Sequence, residues 1–499
     1  MGAVSAADDI SIDAVDASVD DVVTVDAGDS TIVEEPPVDA VSDDATAEEV
    51  DEGIQTDEIS EGSADADSGQ TRASSVTVTS WAELENACNQ NSPQTIYLSG
   101  VINSTSQITF NNSATIIGSS DSYITGGSSS RMAFVGSGDK SITFRNVIFK
   151  DMDGSVLIKM STSGINSFID CSFNNIHTYA YKSSVIWNDG GFMNISGCNF
   201  TNTNNGFGAV TNYASSGSAQ MNVENSRFEN NSARFEPGAI NNCDEMNVTN
   251  CTFIHNVANW WAGAIHTHTN AHTRIFDSTF TDNVAGGTSG SGWNGGALFS
   301  YSDLEVYNSI FTGNNCSVLT GGGAIFGYSM GTSTYNITVD SCNFTNNANN
   351  FNGGYAGAIG VQNIGYLTVT NSNFTNNHAT YGQAIYGITK DEPYCINCTN
   401  CTCPDCPNCN CTHTVSTGEP NCTLTNNIYL NHTGDGDTVV INGQRFTFNY
   451  NIFINSTQIE DYGGEGNEYD LIDYPTRFSH LRMLKSILGS SPRDCPIIV

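Results

Sequence analysis

Met221-Asn222-Val223-Glu224-Asn225-Ser226-Arg227-Phe228, followed downstream by Gly238-Ala239-Ile240, is the stretch from which the fold is read. Met221 and Val223 alternate with polar neighbours, the period of a strand with one buried face. The motif returns with its final Phe at Phe253, Phe280, Phe311, Phe344 and Phe374, and in looser copies at Phe149, Phe173 and Phe200. From Phe228 onward each Phe is followed by Asn231, Asn256, Asn283, Asn314, Asn347 or Asn377. The Gly-Ala-apolar half recurs at Gly208, Gly238, Gly263, Gly296, Gly323 and Gly357, and fades at Gln383-Ala384-Ile385.

Successive Phe residues are about 24 to 33 positions apart, a solenoid coil length. The extra residues fall mostly between the Asn and the Gly-Ala strand, as from Gly286 to Trp293. One elastic turn beside strands of fixed pattern describes a β-solenoid, because the strands must stack in register while a turn can lengthen. The expected fold is therefore all-β: a right-handed, single-stranded parallel β-helix. Like positions of successive coils stack about 4.8 Å apart. Phe228, Phe253, Phe280, Phe311, Phe344 and Phe374 are then an internal aromatic ladder. The Asn residues are expected to stack at turns, tolerating left-handed geometry and bonding to the next Asn. Cys171, Cys198, Cys251 and Cys342 alternate with Ser226, Ser278, Ser309 and Ser372 in a small inward ladder. Cys171 and Cys198 fall in neighbouring coils, within reach of a disulfide or as buried free thiols.

Outside the repeat, the spacing predicts a short capping helix at Trp81-Ala82-Glu83-Leu84-Glu85-Asn86-Ala87-Cys88, with Ser80 as N-cap. Such a cap covers the open end of a solenoid. Residues 1–72 carry acids and no Lys or Arg before Arg72. They read as a disordered acidic spacer, with acidic cation binding as the alternative. Residues 1–7 read as the small-residue end of a signal peptide whose basic and apolar parts are missing. The β-helix is expected over 73–390, a Cys-rich insertion over 391–423, last strands or a cap over 424–460, and a tail over 461–499. Phe478 to Gly489 in that tail has amphipathic helical spacing.

The net charge is −37, and no Lys or Arg lies between Arg274 and Lys390. Phosphate neutralisation needs clustered cations, so nucleic acid and acidic membrane surfaces are excluded as partners. No apolar run reaches the roughly 20 residues that span a bilayer. The 16 cysteines favour an oxidising, extracellular compartment. Asn-x-Ser/Thr sequons such as Asn103, Asn194, Asn336 and Asn455 permit surface glycosylation.

The Gly-Gly-Ala-Ile and Phe-x-x-Asn pairing resembles the repeat of chlamydial polymorphic outer membrane proteins. It also resembles that of adhesin-like surface proteins of gut methanogenic archaea, which the Asn-rich, Lys-poor style favours. The resemblance covers roughly Val76 to Gly387. It implies a surface-displayed β-helix used in adhesion. The partners expected are surface glycans or proteins of host or neighbouring cells, and no cofactor is expected. This chain departs from the bacterial relatives in showing neither a C-terminal outer-membrane barrel pattern nor an evident wall-anchoring module.

Four groups of residues are candidates for chemistry. Cys395, Cys398, Cys401, Cys403, Cys406, Cys409 and Cys411, with Cys422 beyond, suit a disulfide knot or a metal cluster. His266 and His268 share one strand face, with His272 nearby, and read as a metal pair or as a solvated outer face. Trp260 or Trp261 with Trp293 is a candidate binding platform, the alternative being packing under a long loop. The rival to adhesion is a polysaccharide lyase or glycoside hydrolase, which needs placed carboxylates or a strong base. Its candidates are Asp151, Asp153, Asp170, Asp189, Arg227, Glu229, Asp244, Glu245, Asp277 and Asp282, and none of them stands out from the repeat.

Overall fold

The computed structural model describes residues 74–286, 293–329, 335–389, 422–433, 437–442, 446–449, 451–454, 456 and 460–461. The acidic spacer, Cys395 to Cys411 and the segment from Phe478 to Gly489 lie outside the described residues. Repeated period-2 stretches without a helical face build strands and little else. Strands of successive coils pair parallel and in register, forming a β-solenoid.

One sheet runs through 14 strands from Ser74–Val78 to Phe446–Asn449, and a second through 13 from Ile108–Thr109 to Glu460–Asp461. A third, bent sheet receives two short strands from each coil between Asn199 and Asn349, such as Arg227–Glu229 and Ser232–Ala233. The strands after Cys422 continue all three sheets. Ile385–Thr389 and Cys422–Thr425 thus belong to successive parts of the same stack.

The interior is one continuous apolar core from Val78 to Phe453. Its spine is the Phe column. Rings from Phe173 through Phe200, Phe228, Phe253 and Phe280 stack at 4.6, 4.7, 5.0 and 4.8 Å. Phe311, Phe344, Phe374 and Tyr429 continue it. Each such pair adds about 0.5–1.5 kcal/mol beyond the burial itself.

The polar ladders are as regular. Asn231, Asn256, Asn283, Asn314 and Asn347 each donate from Nδ2 to Oδ1 of the next Asn at 2.9–3.0 Å. Each also donates to a Phe carbonyl of the preceding coil, as Asn283 does to Phe253 at 3.0 Å. The expectation that these Asn residues adopt left-handed geometry is corrected here. The left-handed residue is the one before, Asn230, His255, Asp282, Gly313, Asn346 or Asn376. Bending the chain one residue earlier lets the ladder Asn point inward, where its amide replaces water for the turn's backbone.

In the Cys/Ser column, Cys198 donates its backbone N–H to Ser226 Oγ at 3.0 Å and Cys251 donates to Ser278 Oγ at 3.1 Å. Cys171 and Cys198 are free thiols, as is each described cysteine. Cys422 lies in the first sheet over Leu367, inside the core and away from solvent.

Glycine in the Gly-Ala strand is a steric requirement. A Cβ on Gly296 would lie 1.8 Å from the Gly323 carbonyl oxygen, because the coils approach closely there. The N-terminal helix, Trp81–Cys88, buries Trp81, Leu84, Ala87 and Cys88 over the first coils. Ser80 Oγ accepts from the Glu83 N–H as N-cap, and the Glu83 carboxylate reaches back to accept from the Thr79 N–H at 2.7 Å.

Candidate functional site

Along each strand of the second sheet, alternate residues point out of the solenoid. Asn241, His266, Phe299 and Phe326 form one outward column in register. Yet these four are buried. The elastic turns cover them, and three of those turns pair into a small extra sheet, Trp261–Ala262, Trp293–Gly295 and Thr320–Gly322. The result is a second apolar cluster outside the coil, made of Ala262, Phe299, Tyr301 and Phe326 and flanked by Trp261, Trp293 and Tyr328.

The structure divides the three sequence-flagged tryptophans. Trp261 and Trp293 both pack on this cluster. Trp261 lies over His266 at 5.5 Å and against Phe299 at 5.1 Å, while Trp293 stacks on Tyr328 at 4.5 Å. Trp261 holds φ of 63°, a left-handed conformation that strains a bulky residue and is fixed here by neighbouring coils. Its backbone N–H donates to Asn294 Oδ1 at 3.1 Å. Trp260 points the other way and is 50% exposed. Its ring meets Phe235 at 5.7 Å, and Phe235 meets Tyr181, itself 58% exposed, at 4.6 Å. Tyr181, Phe235 and Trp260 come from three turns of the same side and make an aromatic row with exposed ends and a half-buried middle ring.

Beneath this region lies a polar group. Glu236, in the turn after Phe235, reaches the next coil. Its Oε2 is 3.0 Å from His268 Nε2 and 3.7 Å from His266 Nδ1. The second distance is too long for a hydrogen bond, and neither ring nitrogen of His266 has a partner. Burial pushes the His266 imidazole down to about 4, so the ring is neutral near pH 7. Burial pushes the Glu236 carboxyl up, but the two facing imidazoles outweigh it and hold the group at about 2. Cys243 lies close by, its thiol pushed up by burial and by Glu236 and Asp244. His272, grouped with this pair by sequence proximity, is elsewhere, on the outer face of the first sheet.

There His272 belongs to a charged cluster that sequence reading missed. His272 Nε2 is 2.8 Å from Glu305 Oε1, and an Arg274 guanidinium nitrogen is 2.8 Å from His272 Nδ1. Arg274 also pairs at 3.5 Å with both Glu245 and Glu305, and Tyr307 donates to Glu305 at 2.9 Å. Burial raises the Glu305 carboxyl, but Tyr307, His272 and Arg274 together hold it low. An open groove of about 390 Å³ adjoins, lined by Asn222, Glu224, Asn247, Thr249, Arg274 and Phe276. The signal available in the sequence was the placement of Arg274, the last base before Lys390.

The remaining carboxylate candidates serve the scaffold. Asp151, Asp170, Asp277 and Asp282 take left-handed turn positions with φ of 51° to 53°. Asp153 accepts from Tyr179, Asp244 from the Ala219 N–H, and Asp189 pairs with Lys159 at 2.9 Å. Arg227 and Glu229 pair with each other at 3.0 Å.

No family model matches the chain, and no curated protein does. Among solved structures, a mannuronic acid specific polysaccharide family 6 lyase from human gut microbiota is similar at 11% identity and a TM-score of 0.32, over 83% of this chain and 94% of that one.

Proposed function

We propose that this β-solenoid is an extracellular, surface-displayed recognition protein that binds glycan or protein surfaces of host or neighbouring cells without turning them over. The observation that carries the reading is the aromatic row Tyr181–Phe235–Trp260 on the solenoid exterior. Large aromatic faces left in water mark interaction sites, and the C–H face of a sugar ring or an apolar side chain covers them favourably. A rigid stack of coils holds the row at fixed spacing, so little conformational entropy is lost on binding. Lys182 and Arg234, exposed beside Tyr181 and Phe235, add two hydrogen-bond donors next to the row.

A second reading, a carbohydrate-active enzyme, is favoured by one observation: Arg274 and His272 between Glu245 and Glu305 beside the groove. Both carboxylates lie 3.5 Å from the Arg274 guanidinium, which holds two acids and a base at one edge of the groove.

A glycan array probed with the purified chain, with reducing-end and unsaturated-product assays on the same glycans, separates the readings. Binding without product, lost in Tyr181→Ala/Trp260→Ala, supports recognition. Product formation abolished by Arg274→Ala or Glu305→Gln replaces it with the enzyme.

A further inference from the structure

We propose that Glu236, His266 and His268 form a binding site for a divalent first-row transition metal ion, with Zn²⁺ the best fit. This goes beyond the recognition reading and stands without it. The ligand atoms of the three side chains lie within 4.8 Å of one another. A tetrahedral zinc with bonds of about 2.0–2.2 Å sets its ligands about 3.4 Å apart. The carboxylate oxygen is 3.0 Å from one imidazole nitrogen and 3.7 Å from the other, so these two separations bracket that value.

The second observation is His266 itself. Its side chain is 1% exposed, and both of its ring nitrogens lack a hydrogen-bond partner. A buried polar group left unpaired costs about 1–3 kcal/mol, and native folds keep few of them. A metal on Nδ1 satisfies one of the two nitrogens, the one already turned toward Glu236. Trp261 over one face of the ring and Phe299 beside it fix its orientation, as a preformed ligand requires.

Donor chemistry selects the ion. Two imidazoles and one carboxylate suit zinc and its neighbours, whereas calcium and magnesium prefer all-oxygen shells. Three protein ligands leave a fourth position open, the arrangement of a metal that meets an exogenous ligand. His268 is 30% exposed and Glu236 13%, so the opening is on the solvent side of His266.

The test is Zn²⁺ titration of the full chain by calorimetry, alongside His268→Ala and Glu236→Gln. Both variants alter partly exposed side chains and keep His266 in place, and far-ultraviolet circular dichroism confirms their fold. Any metal bound by the cysteines from Cys395 to Cys411 is common to all three proteins and cancels in the comparison. The expected result is one Zn²⁺ equivalent that disappears, or weakens at least about tenfold, in both variants. Co²⁺ at that equivalent should show visible d–d bands without a thiolate charge-transfer band. Identical stoichiometry and affinity in the three proteins, or a Co²⁺ spectrum arising from thiolates alone, overturns the proposal.

Discussion

Asn256 donates from Nδ2 to Oδ1 of Asn283, one coil onward, at 2.9 Å, while Asn256 Oδ1 accepts the equivalent bond from Asn231 at 3.0 Å. Each Asn is therefore both donor and acceptor in a buried chain along the solenoid axis. The chain explains why one residue type recurs at this position. Ser has no amide with which to donate and accept along the column at once, and Asp would bring a charge inside.

Asn283→Ala tests the ladder. It would strand the Asn256 N–H and Nδ2 and the Phe253 carbonyl, which now use Asn283. A loss of about 2–4 kcal/mol is expected, since buried groups left unpaired cost about 1–3 kcal/mol each and some will rehydrate. Hydrogen exchange at the Asn256 amide reads the effect locally, which suits an array that need not unfold as one unit. Unchanged protection there would refute the ladder's role.

Phe280 stacks between Phe253 at 4.8 Å and Phe311 at 4.7 Å. Phe280→Ala should cost about 3–5 kcal/mol through lost burial and the cavity left behind. Trp260→Ala, at an exposed ring, should change stability by under about 1 kcal/mol. Urea denaturation of the two variants beside the parent checks the contrast.

Gly296→Ala places a methyl group against the Gly323 carbonyl oxygen and must separate two coils. The expected outcome is local opening, visible as new proteolytic cleavage between Trp293 and Ile325 while distant coils stay resistant. A cleavage pattern like the parent's would show that the stack relaxes without opening.

His432 stands where earlier coils have Asn, beyond Asn377, and is buried with Ser456 next in line. Burial pushes its imidazole down to about 3. The unfolded chain, near 6.5, therefore takes up the proton first as pH falls. The contribution of neutral His432 is complete above about pH 6.5 and is lost progressively toward about pH 3, at up to roughly 1.4 kcal/mol per pH unit. His432→Asn restores the ladder residue and should flatten this acid limb. Stability curves of parent and variant from pH 7 to pH 5 should diverge as acid is added. Parallel curves would mean that His432 does not titrate with unfolding.

The ladder positions were legible because stacking gives every coil the same environment. A residue that fills the interior at Phe228 is needed again at Phe253 and Phe280, and period 2 then assigns inside and outside. The Gly-Ala strand was legible for a steric reason that repeats likewise. The split between the left-handed residue and the ladder Asn was not, because Asn is compatible with both environments and the two are adjacent.

The candidate sites lie on outward positions, where no packing requirement repeats. Glu236 and His266 belong to different coils and different segments, and only the closing of the coil, which stacks one turn's tip above the next strand, brings the carboxylate to the imidazoles. The same stacking puts Arg274 between Glu245 and Glu305. The amino-acid sequence by itself determined a parallel solenoid, its core and its repeat, since these follow from periodic burial. The tertiary structure alone decided which outward side chains meet, because the distance between them depends on how far each elastic turn reaches, and no period records that.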